Sequence, residues 1–310
     1  MDALSEVLRL ARFTGSVLAD VSSRGSWCVS IPASGVRACA HLVLEGRAQV
    51  HLGSGEFVHL EAGDIAFLSG GAAHLIGSDP EAPAKPLASL IRATAPGDPA
   101  PVSLGSSGFR ARWVPLAFSW EHHLGASLFT SLPPIVHVSL RGSAPLEWFR
   151  DSLGLALTGS DAPRSGAEAT RARLAEVVLI EALRRHIETQ PAGGTGWLAA
   201  LGDRYVGAAL ALVHGRPGED WTVEKLGRQV GLSRSALAER FTNRMGEPVI
   251  AFLTHVRLQL AAEELVATPR SIESVSEDAG YESVTAFSRA FKRAFGKPPS
   301  VWRVRARRKR

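Results

Sequence analysis

Residues 222–246 read TVEKLGRQVGLSRSALAERFTNRMG, and residues 271–296 read SIESVSEDAGYESVTAFSRAFKRAFG. The second stretch repeats the first at an offset of 49 residues before the turn (222 to 271) and 50 residues after it (237 to 287). One extra residue therefore lies in the second turn. The matched pairs are Thr222 and Ser271, Leu226 and Val275, Val230 and Ala279, Gly231 and Gly280, Leu232 and Tyr281, Leu237 and Phe287, Phe241 and Phe291, Gly246 and Gly296, and Pro248 and Pro298.

Each copy contains the parts of two helices joined by a tight turn. It begins with a hydroxyl residue that can cap a helix, continues with apolar residues at helical spacing, and then has a glycine that tolerates a positive φ. A second amphipathic helix follows. Because helices joined in this way meet at a steep angle, the second can lie in the major groove of DNA. The repeat therefore predicts two helix-turn-helix motifs, at 222–244 and 271–294.

Length and composition indicate a soluble globular chain. With 310 residues and 45% hydrophobic content, the sequence can form two ordinary domains, each with its own core. It has no run of about 18 uncharged apolar residues, and its N-terminus lacks the blocks of a signal peptide. Two cysteines, Cys28 and Cys39, are too few for a disulfide scaffold. We therefore expect a cytoplasmic protein without membrane association.

The positive charge is concentrated in the half that contains the repeats. The chain has a net charge of +5, but residues 205–310 have 18 Lys and Arg against 11 Asp and Glu, a net +7. Residues 1–204 therefore carry −2. A basic surface is often no more than a solvated one, so the charge supports the motif without replacing it.

The residue pattern predicts an α+β protein. Up to about residue 140, short alternating segments between glycine turns predict the strands of an antiparallel barrel or sandwich. Residues 141–190 have helical periodicity, 191–196 have the composition of a linker, and 197–310 are all helical and contain both repeats. We expect these four ranges to be the domains and connections of the chain.

The helical segment 141–190 has an apolar face too wide for one neighbour to cover. The barrel could cover one side and a second subunit the other, so we expect this segment to form a homodimer. A role within one chain is the alternative. The apolar positions are Leu174, Val177, Val178, Leu179, Ile180, Leu183 and Ile187.

Helical spacing divides the second helix of each copy into a buried and an exposed face. Arg289 is the best candidate to read a guanine, because a guanidinium can bind both major-groove acceptors of that base. The first copy is poor in base-reading side chains, so we expect the second copy to carry most of the sequence preference. The candidates for base contacts are Ser235, Ala238, Glu239, Thr242, Val284, Thr285, Ser288 and Arg289, and those for phosphate contacts are Arg234, Arg240, Arg244, Lys292, Arg293 and Lys297.

The run from Pro248 to Leu265 between the two copies predicts one continuous helix. Its 18 residues would span about 27 Å, and proline at the first turn suits the start of a helix. A helix of this length would place the two reading helices near one turn of DNA apart, about 34 Å. Adjacent major grooves on one face of the duplex would then be within reach.

Residues 232–241 (LSRSALAERF), the linking helix with Arg257, and residues 280–299 (GYESVTAFSRAFKRAFGKPP) resemble the AraC/XylS family of bacterial transcription regulators. The resemblance implies a DNA-binding regulator, most often an activator, and not an enzyme. Its expected partners are double-stranded promoter DNA and RNA polymerase. One departure is the stretch from Ser276 to Asp278, where the family usually has alanine-rich, apolar sequence.

Residues 41–46 (HLVLEG) and 60–74 (LEAGDIAFLSGGAAH) are similar to the cupin-type sensor domains of one branch of that family. A metal-binding cupin needs two histidines flanking one residue, a glutamate, and another histidine in a second motif. One alignment of this pattern puts Cys39 at the glutamate position; the other makes His41 the first ligand but has Val43 at the second. Only His74 survives in both, so we predict no metal ion and no cofactor.

Cys39, His41 and His74 are nevertheless candidates for an effector pocket, because strand alternation places the first two inside the barrel with His74 nearby. Three other interpretations stay open: buried residues satisfied by their neighbours, a Cys/His zinc site, and a thiol sensor that pairs Cys39 with Cys28. The corresponding alternative functions are a redox- or metal-responsive regulator and a metal-dependent cupin enzyme with an appended helical domain.

Overall fold

The computed structural model describes residues 3–33, 38–91, 100–120, 129, 132–157, 165–190 and 194–307. The chain forms two compact units, one from Ala11 to Gln190 and one that combines the residues up to Leu10 with those from Pro191 onward. The first helix, α1 (Ala3–Ala11), thus groups largely with the C-terminal unit, although it is remote in sequence. None of the described helices combines the length and the hydrophobicity that a bilayer-spanning helix requires.

The strands of the described residues lie in the unit Ala11–Gln190 and form two sheets. The strands are β1 (Phe13–Val17), β2 (Ala19–Arg24), β3 (Cys28–Ile31), β4 (Ala38–Glu45), β5 (Arg47–Leu52), β6 (Phe57–Glu61), β7 (Asp64–Ser69), β8 (His74–Gly77), β9 (Ala84–Pro86), β10 (Ala100–Leu104), β11 (Arg110–Trp120) and β12 (Ile135–Ser139). In the first sheet the order is β10-β2-β11-β4-β7-β12, and β1 pairs with β11 beside β2. In the second sheet the order is β6-β5-β8-β3-β9.

Strand β4 lies at the centre of the first sheet, between β11 and β7. Seven of its eight residues are buried, because both faces of this sheet are covered. Cys39 and Val43 belong to one apolar core together with Val50, Leu60 and Ile76 of the second sheet. The odd-numbered residues of β4 therefore face the second sheet, as alternation predicts.

The sheet-rich N-terminal unit is confirmed, but its strand pairing is less regular than expected. Strands β10 and β2 pair in parallel, as do β3 and β9, so the sheets are mixed and not purely antiparallel. Both parallel partners come from strands at sheet edges. No strand pair in the described residues joins the two sheets, so closure into a barrel stays a prediction.

Helices α2 (Leu87–Leu90), α3 (Ala144–Leu157) and α4 (Ala167–Glu188) complete this unit. Most of the apolar face of α4 packs within the chain, against α3 and the first sheet. Ile180 is the exception, with 44% of its surface exposed, while Val177 and Ile187 are half-buried. The buried members of the predicted set are Leu174, Val178, Leu179 and Leu183.

From residue 194 to residue 307 the regular structure is helical. The predicted linking helix is α9, which runs from Val249 to Ala267. Pro248 occupies the N-cap position directly before it. Its 19 residues correspond to a length of about 28 Å. The other helices are α5 (Trp197–Gly202), α6 (Arg204–Gly215), α7 (Val223–Val230), α8 (Arg234–Met245), α10 (Ile272–Asp278), α11 (Val284–Phe295) and α12 (Pro299–Arg307).

Candidate functional site

The first sequence copy forms a helix pair, α7 and α8, joined by a three-residue turn. Gly231 ends α7 with a φ of 81°, a conformation that favours glycine. The Leu232 N–H donates to the Gly227 carbonyl at 2.8 Å and closes the turn. Ser233 then caps α8, since its hydroxyl accepts from the Ala236 N–H.

The second copy forms an equivalent pair, α10 and α11. The Tyr281 N–H donates to the Ser276 carbonyl at 3.0 Å, which is the same closing bond displaced by 49 residues. Gly280 takes the positive φ, at 77°, as Gly231 does in the first copy. The extra residue lengthens the turn after Tyr281, because the cap of α11 is Ser283, 50 residues beyond the cap Ser233 of α8. Ser283 caps α11 through the Ala286 N–H. The sequence analysis identified caps at Thr222 and Ser271 but missed those at Ser233 and Ser283.

The unusual Ser276 is accommodated in the second pair. It is almost fully buried, and its hydroxyl donates to the Glu273 carbonyl at 2.8 Å. A buried hydroxyl with a partner avoids most of the cost of desolvation. This departure from an apolar stretch therefore leaves α10 intact.

In the second helix of each pair, α8 and α11, the leucine and phenylalanine side chains that the helical spacing predicted to be buried are buried. Leu237, Phe241, Phe287 and Phe291 are fully buried. The opposite face of each helix is accessible. Ser235, Glu239, Thr242, Thr285 and Arg289 are exposed, and Ala238, Val284 and Ser288 are partly buried.

The basic side chains of α11 are available for a ligand. Arg289, Lys292 and Arg293 are exposed, and neither Arg289 nor Lys292 forms an ion pair with the described residues. Lys297, just beyond the helix, is partly buried, and Arg234 at the start of α8 is exposed. The surface of α11 therefore presents uncompensated positive charge, which suits a polyanion.

Arg240 and Arg244 of α8 differ from the other phosphate candidates, because both bind Asp203. The Arg240 Nε lies 2.8 Å from Asp203 Oδ2, and the Arg244 Nε lies 3.3 Å from the same oxygen. Arg244 also donates to the Gly194 carbonyl at 3.1 Å. These contacts connect α8 to the start of α6, so the two arginines position the helix.

Asp203 is a positioning residue that the sequence analysis missed. Its carboxylate caps α6 by accepting from the N–H groups of Tyr205 and Val206, and its side chain is only 2% exposed. Burial alone would raise the pKa of Asp203, but hydrogen bonds from Val206, Arg240 and Tyr205 outweigh burial, so the pKa is lowered. An aspartate directly before a helical pattern, after Gly202, was the available signal.

Arg257 connects the linking helix to the segment between α6 and α7 and to the turn of the second helix pair. Its guanidinium donates to the carbonyls of Pro217 and Glu219 at 2.8 and 2.9 Å. It also lies against Gly280, where an added Cβ would be 2.7 Å from the Arg257 Nη1. The position of the second turn therefore depends on a side chain of α9.

In the other unit, the structure brings Cys39, His41 and His74 together. His41 lies on β4 of the first sheet and His74 on β8 of the second, and their Nε2 atoms are 2.7 Å apart. The Nδ1 of His74 is 2.7 Å from the Ala72 carbonyl. Trp113 lies edge-on to His41, with ring centroids 5.3 Å apart. The cluster is therefore enclosed between the sheets.

Burial sets the protonation of this cluster. Burial and the neighbouring His74 lower the pKa of His41 well below its usual value, and burial lowers the pKa of His74. Burial raises the pKa of Cys39 to about 12. At neutral pH all three groups are therefore uncharged.

Cys28 is not part of the cluster. Its neighbour Val29 belongs to the core that contains Cys39, and side chains alternate along β3, so Cys28 points to the opposite face. Burial, together with Asp79, raises the pKa of Cys28. This placement argues against a thiol sensor that pairs Cys28 with Cys39.

Comparison with known proteins agrees with both halves of the structure. A family described as a cupin matches residues 2–188, and one described as a helix-turn-helix domain matches residues 226–305. An AraC-like transcription regulator of Streptomyces lividans is 32% identical over 307 residues, which is 98% of each chain. The protein belongs to the AraC-like transcriptional regulators.

A second full-length relative of this AraC-like regulator agrees with that assignment. It is 29% identical to the HTH-type transcriptional regulator AlkR of Acinetobacter baylyi over 306 residues, which cover 98% of this chain and 99% of AlkR. The solved DNA-binding domain of AdpA, in complex with a target DNA, is 25% identical, with a TM-score of 0.33. That match covers 35% of this chain and 96% of the AdpA domain. The protein is a DNA-binding transcriptional regulator with a cupin-like N-terminal domain, and its relatives are named as regulators and not as enzymes.

Proposed function

We propose that this regulator binds promoter DNA through two helix-turn-helix motifs, α7–α8 and α10–α11, and that α11 carries most of the sequence preference. The observation that supports this most is the state of Arg289. It is exposed, has no ion-pair partner among the described residues, and lies on the face of α11 opposite the buried Phe287 and Phe291. A rigid, capped helix with a free guanidinium suits bidentate recognition of a guanine.

The base contacts proposed for α11 come from Arg289, with Val284, Thr285 and Ser288 beside it. Lys292, Arg293 and Lys297 would contact phosphates, because they lie toward the end of the helix or beyond it. Their charge would set the register of α11 in the groove without reading sequence.

Helix α8 would contribute less to sequence preference. Ser235, Ala238, Glu239 and Thr242 remain its base-contact candidates, but the Thr242 hydroxyl already donates to the Ala238 carbonyl at 2.8 Å. Arg240 and Arg244 are ion-paired with Asp203, so we reassign them from phosphate contact to positioning of α8. Arg234, at the exposed first turn, stays the phosphate candidate of this helix.

The length of α9 supports simultaneous binding in two adjacent major grooves. A helix of about 28 Å lies between the two pairs, close to the 34 Å of one turn of DNA. The cognate site would then contain two short blocks centred about 10 base pairs apart.

The unit with the two sheets would act as the sensor of the regulator. Residues 1–140 would bind the effector and residues 141–190 would form the dimer. Residues 191–196 would then link this unit to the DNA-binding domain, 197–310. The cluster of Cys39, His41 and His74 is the proposed anchor for an effector. A second copy would cover exposed Ile180 and half-buried Val177 of α4. RNA polymerase would be the partner through which the bound regulator acts, as an activator.

A binding assay tests the proposed DNA contacts. The full-length protein is titrated with the duplex upstream of its own gene and with a shuffled duplex of the same composition, each at two salt concentrations. We expect the native duplex to bind at least a hundredfold more tightly at the higher salt, because nonspecific phosphate contacts weaken first. Equal affinity for the two duplexes at both salts would contradict the proposal.

A further inference from the structure

We propose that Cys39, His41 and His74 bind one transition-metal ion of the borderline-soft class, with Zn²⁺ as the type. The Cys39 Sγ and one ring nitrogen of each histidine all lie within 4.8 Å of one another. This inference reverses the expectation of no metal site. When the ligand pattern of metal-binding cupins is aligned on the glycines of this sequence, only His74 remains as a ligand in both alignments. The fold nevertheless brings three donors together, and their spacing in the sequence differs from that pattern.

The donors converge from two sheets. Cys39 and His41 are two apart on β4 and share a face, while His74 comes from β8 opposite them. Metal–nitrogen bonds of about 2.0–2.1 Å and a metal–sulfur bond of about 2.3 Å require donors roughly 3–4 Å apart. Since the two Nε2 atoms are 2.7 Å apart, the rings need to separate by less than about 1 Å to admit an ion.

The hydrogen bond of His74 already selects the tautomer that a metal ligand needs. Because Nδ1 lies 2.7 Å from the Ala72 carbonyl, it carries the proton and donates, which leaves a lone pair on Nε2. In metal sites, a backbone carbonyl that accepts from the other ring nitrogen commonly orients the metal-bound histidine in this way.

Where the chain is described, His41 has no hydrogen bond equivalent to the one between His74 Nδ1 and the Ala72 carbonyl. Its Nδ1 has no hydrogen-bond partner among the described residues, although the side chain is only 1% exposed. Within the described part of the chain, its Nε2 has a hydrogen-bond contact only with the Nε2 of His74. A bond from the His41 ring to an ion would offset part of the cost of burying this imidazole.

The chemistry of the donors selects the class of ion. One sulfur and two imidazole nitrogens suit Zn²⁺, Co²⁺ or copper, whereas Mg²⁺ and Ca²⁺ need several oxygen ligands. The surroundings are apolar, with Trp113 beside His41 and Trp27 stacked on Trp113. On binding, the Cys39 S–H loses its proton to solvent and the thiolate bonds to the ion, while the His41 proton moves from Nε2 to Nδ1 and frees the Nε2 lone pair for the ion. No oxidation state changes.

Co²⁺ titration of the full-length protein tests this site. The protein is freed of metal with a chelator under reducing conditions, and Co²⁺ replaces Zn²⁺ as a spectroscopic probe. We expect a thiolate-to-cobalt charge-transfer band that saturates at one equivalent and is lost when Zn²⁺ is added. Because no DNA is present, failure of this test would leave the DNA-binding proposal untouched.

Two matched cysteine variants make the test specific. Cys39→Ser should abolish the band, whereas Cys28→Ser, which changes the other buried thiol, should keep it. His74→Gln should weaken Co²⁺ binding at least tenfold. As a second measurement, Zn²⁺ should raise the Tm of the wild type and of Cys28→Ser but not of His74→Gln. Absence of a thiolate band in the wild type, or its retention in Cys39→Ser, would overturn the proposal.

Discussion

The carboxylate of Asp203 lies 2.8 Å from the Nε of Arg240 and joins the start of α6 to the second helix of the first pair. The same carboxylate caps α6, so one buried group fixes both a helix terminus and the position of its neighbour. Arg240 is itself 46% exposed, which is why the sequence pattern made it a phosphate candidate. Helical spacing does not reveal the ion pair with Asp203, and this ion pair reassigns Arg240 from phosphate contact to the positioning of α8.

Substitutions at Asp203 separate its two roles. Asn is a good helix cap but carries no charge, so Asp203→Asn should lose the ion pairs and keep the cap. We expect a loss of about 1–2 kcal/mol in the free energy of unfolding for Asp203→Asn, and about 1 kcal/mol more for Asp203→Ala. Urea unfolding of both variants measures this difference. Equal losses would show that the cap contributes nothing.

The same variant distinguishes positioning from phosphate contact. If Arg240 and Arg244 bound phosphates, Asp203→Asn would free them and raise both DNA affinity and its salt dependence. We expect neither to rise.

The pH dependence of stability gives a further check on Asp203. Because the pKa of Asp203 is lowered in the folded state, the stabilisation that this carboxylate provides is present above the carboxyl pKa of the unfolded chain. It is lost as the pH falls through the folded pKa, and Asp203→Asn should lack this acid-dependent loss.

Gly231 and Gly280 provide a matched pair for the two turns. Both have positive φ, so alanine at either position costs about 1–2 kcal/mol of backbone strain. At Gly231 an added Cβ meets nothing within 4 Å, but at Gly280 it would be 2.7 Å from the Arg257 guanidinium. Gly280→Ala should therefore destabilise the protein more than Gly231→Ala in urea unfolding.

The Arg257→Ala background tests the reason for that difference. Without the guanidinium the two alanine substitutions should cost the same, within about 0.5 kcal/mol. If Gly280→Ala stays the more damaging substitution in this background, the contact with Arg257 is not the cause.

Arg289 and Lys292 should affect DNA binding in different ways. Arg289→Ala should lower affinity for the cognate site by about 1–3 kcal/mol and leave nonspecific binding unchanged. Lys292→Ala should weaken binding to all sequences alike and reduce the salt slope by about 1. Titrations of both variants against cognate and shuffled duplexes decide the roles. An equal loss on both duplexes for Arg289→Ala would reassign that residue to the phosphates.

The thiols of the metal-free protein should be unreactive. With a pKa of about 12, Cys39 has only about one thiolate per 100,000 molecules at pH 7, and the pKa of Cys28 is also raised. We expect iodoacetamide to modify neither cysteine at an appreciable rate in the folded protein, and both rapidly in urea. Modification of folded Cys39 at the rate of the unfolded chain would restore the redox alternative.

Local patterns predicted the helical half well because its elements depend on neighbours in sequence. Helical spacing identified Leu237, Phe241, Phe287 and Phe291 as buried, and the glycine of each copy marked its turn. The ion pair between Asp203 and Arg240 was not predictable, because the two residues are 37 positions apart and no periodicity connects them.

The sheet half was predicted less completely for a similar reason. Alternation correctly placed Cys39 and Val43 on one face, since that depends only on the strand. The parallel edge pairings, and the contact between His41 and His74, depend on which strands meet across the fold. Ligand counting from fixed glycines therefore found one donor where the structure brings three together.

Selection from a random duplex library with the full-length protein tests the central claim most directly. If both helix pairs read DNA across α9, the enriched sequences should contain two conserved blocks centred about 10 base pairs apart. Selection with Arg289→Ala should relax the preference in one block and leave the other unchanged. Enrichment of a single block, or of no sequence at all, would contradict the account.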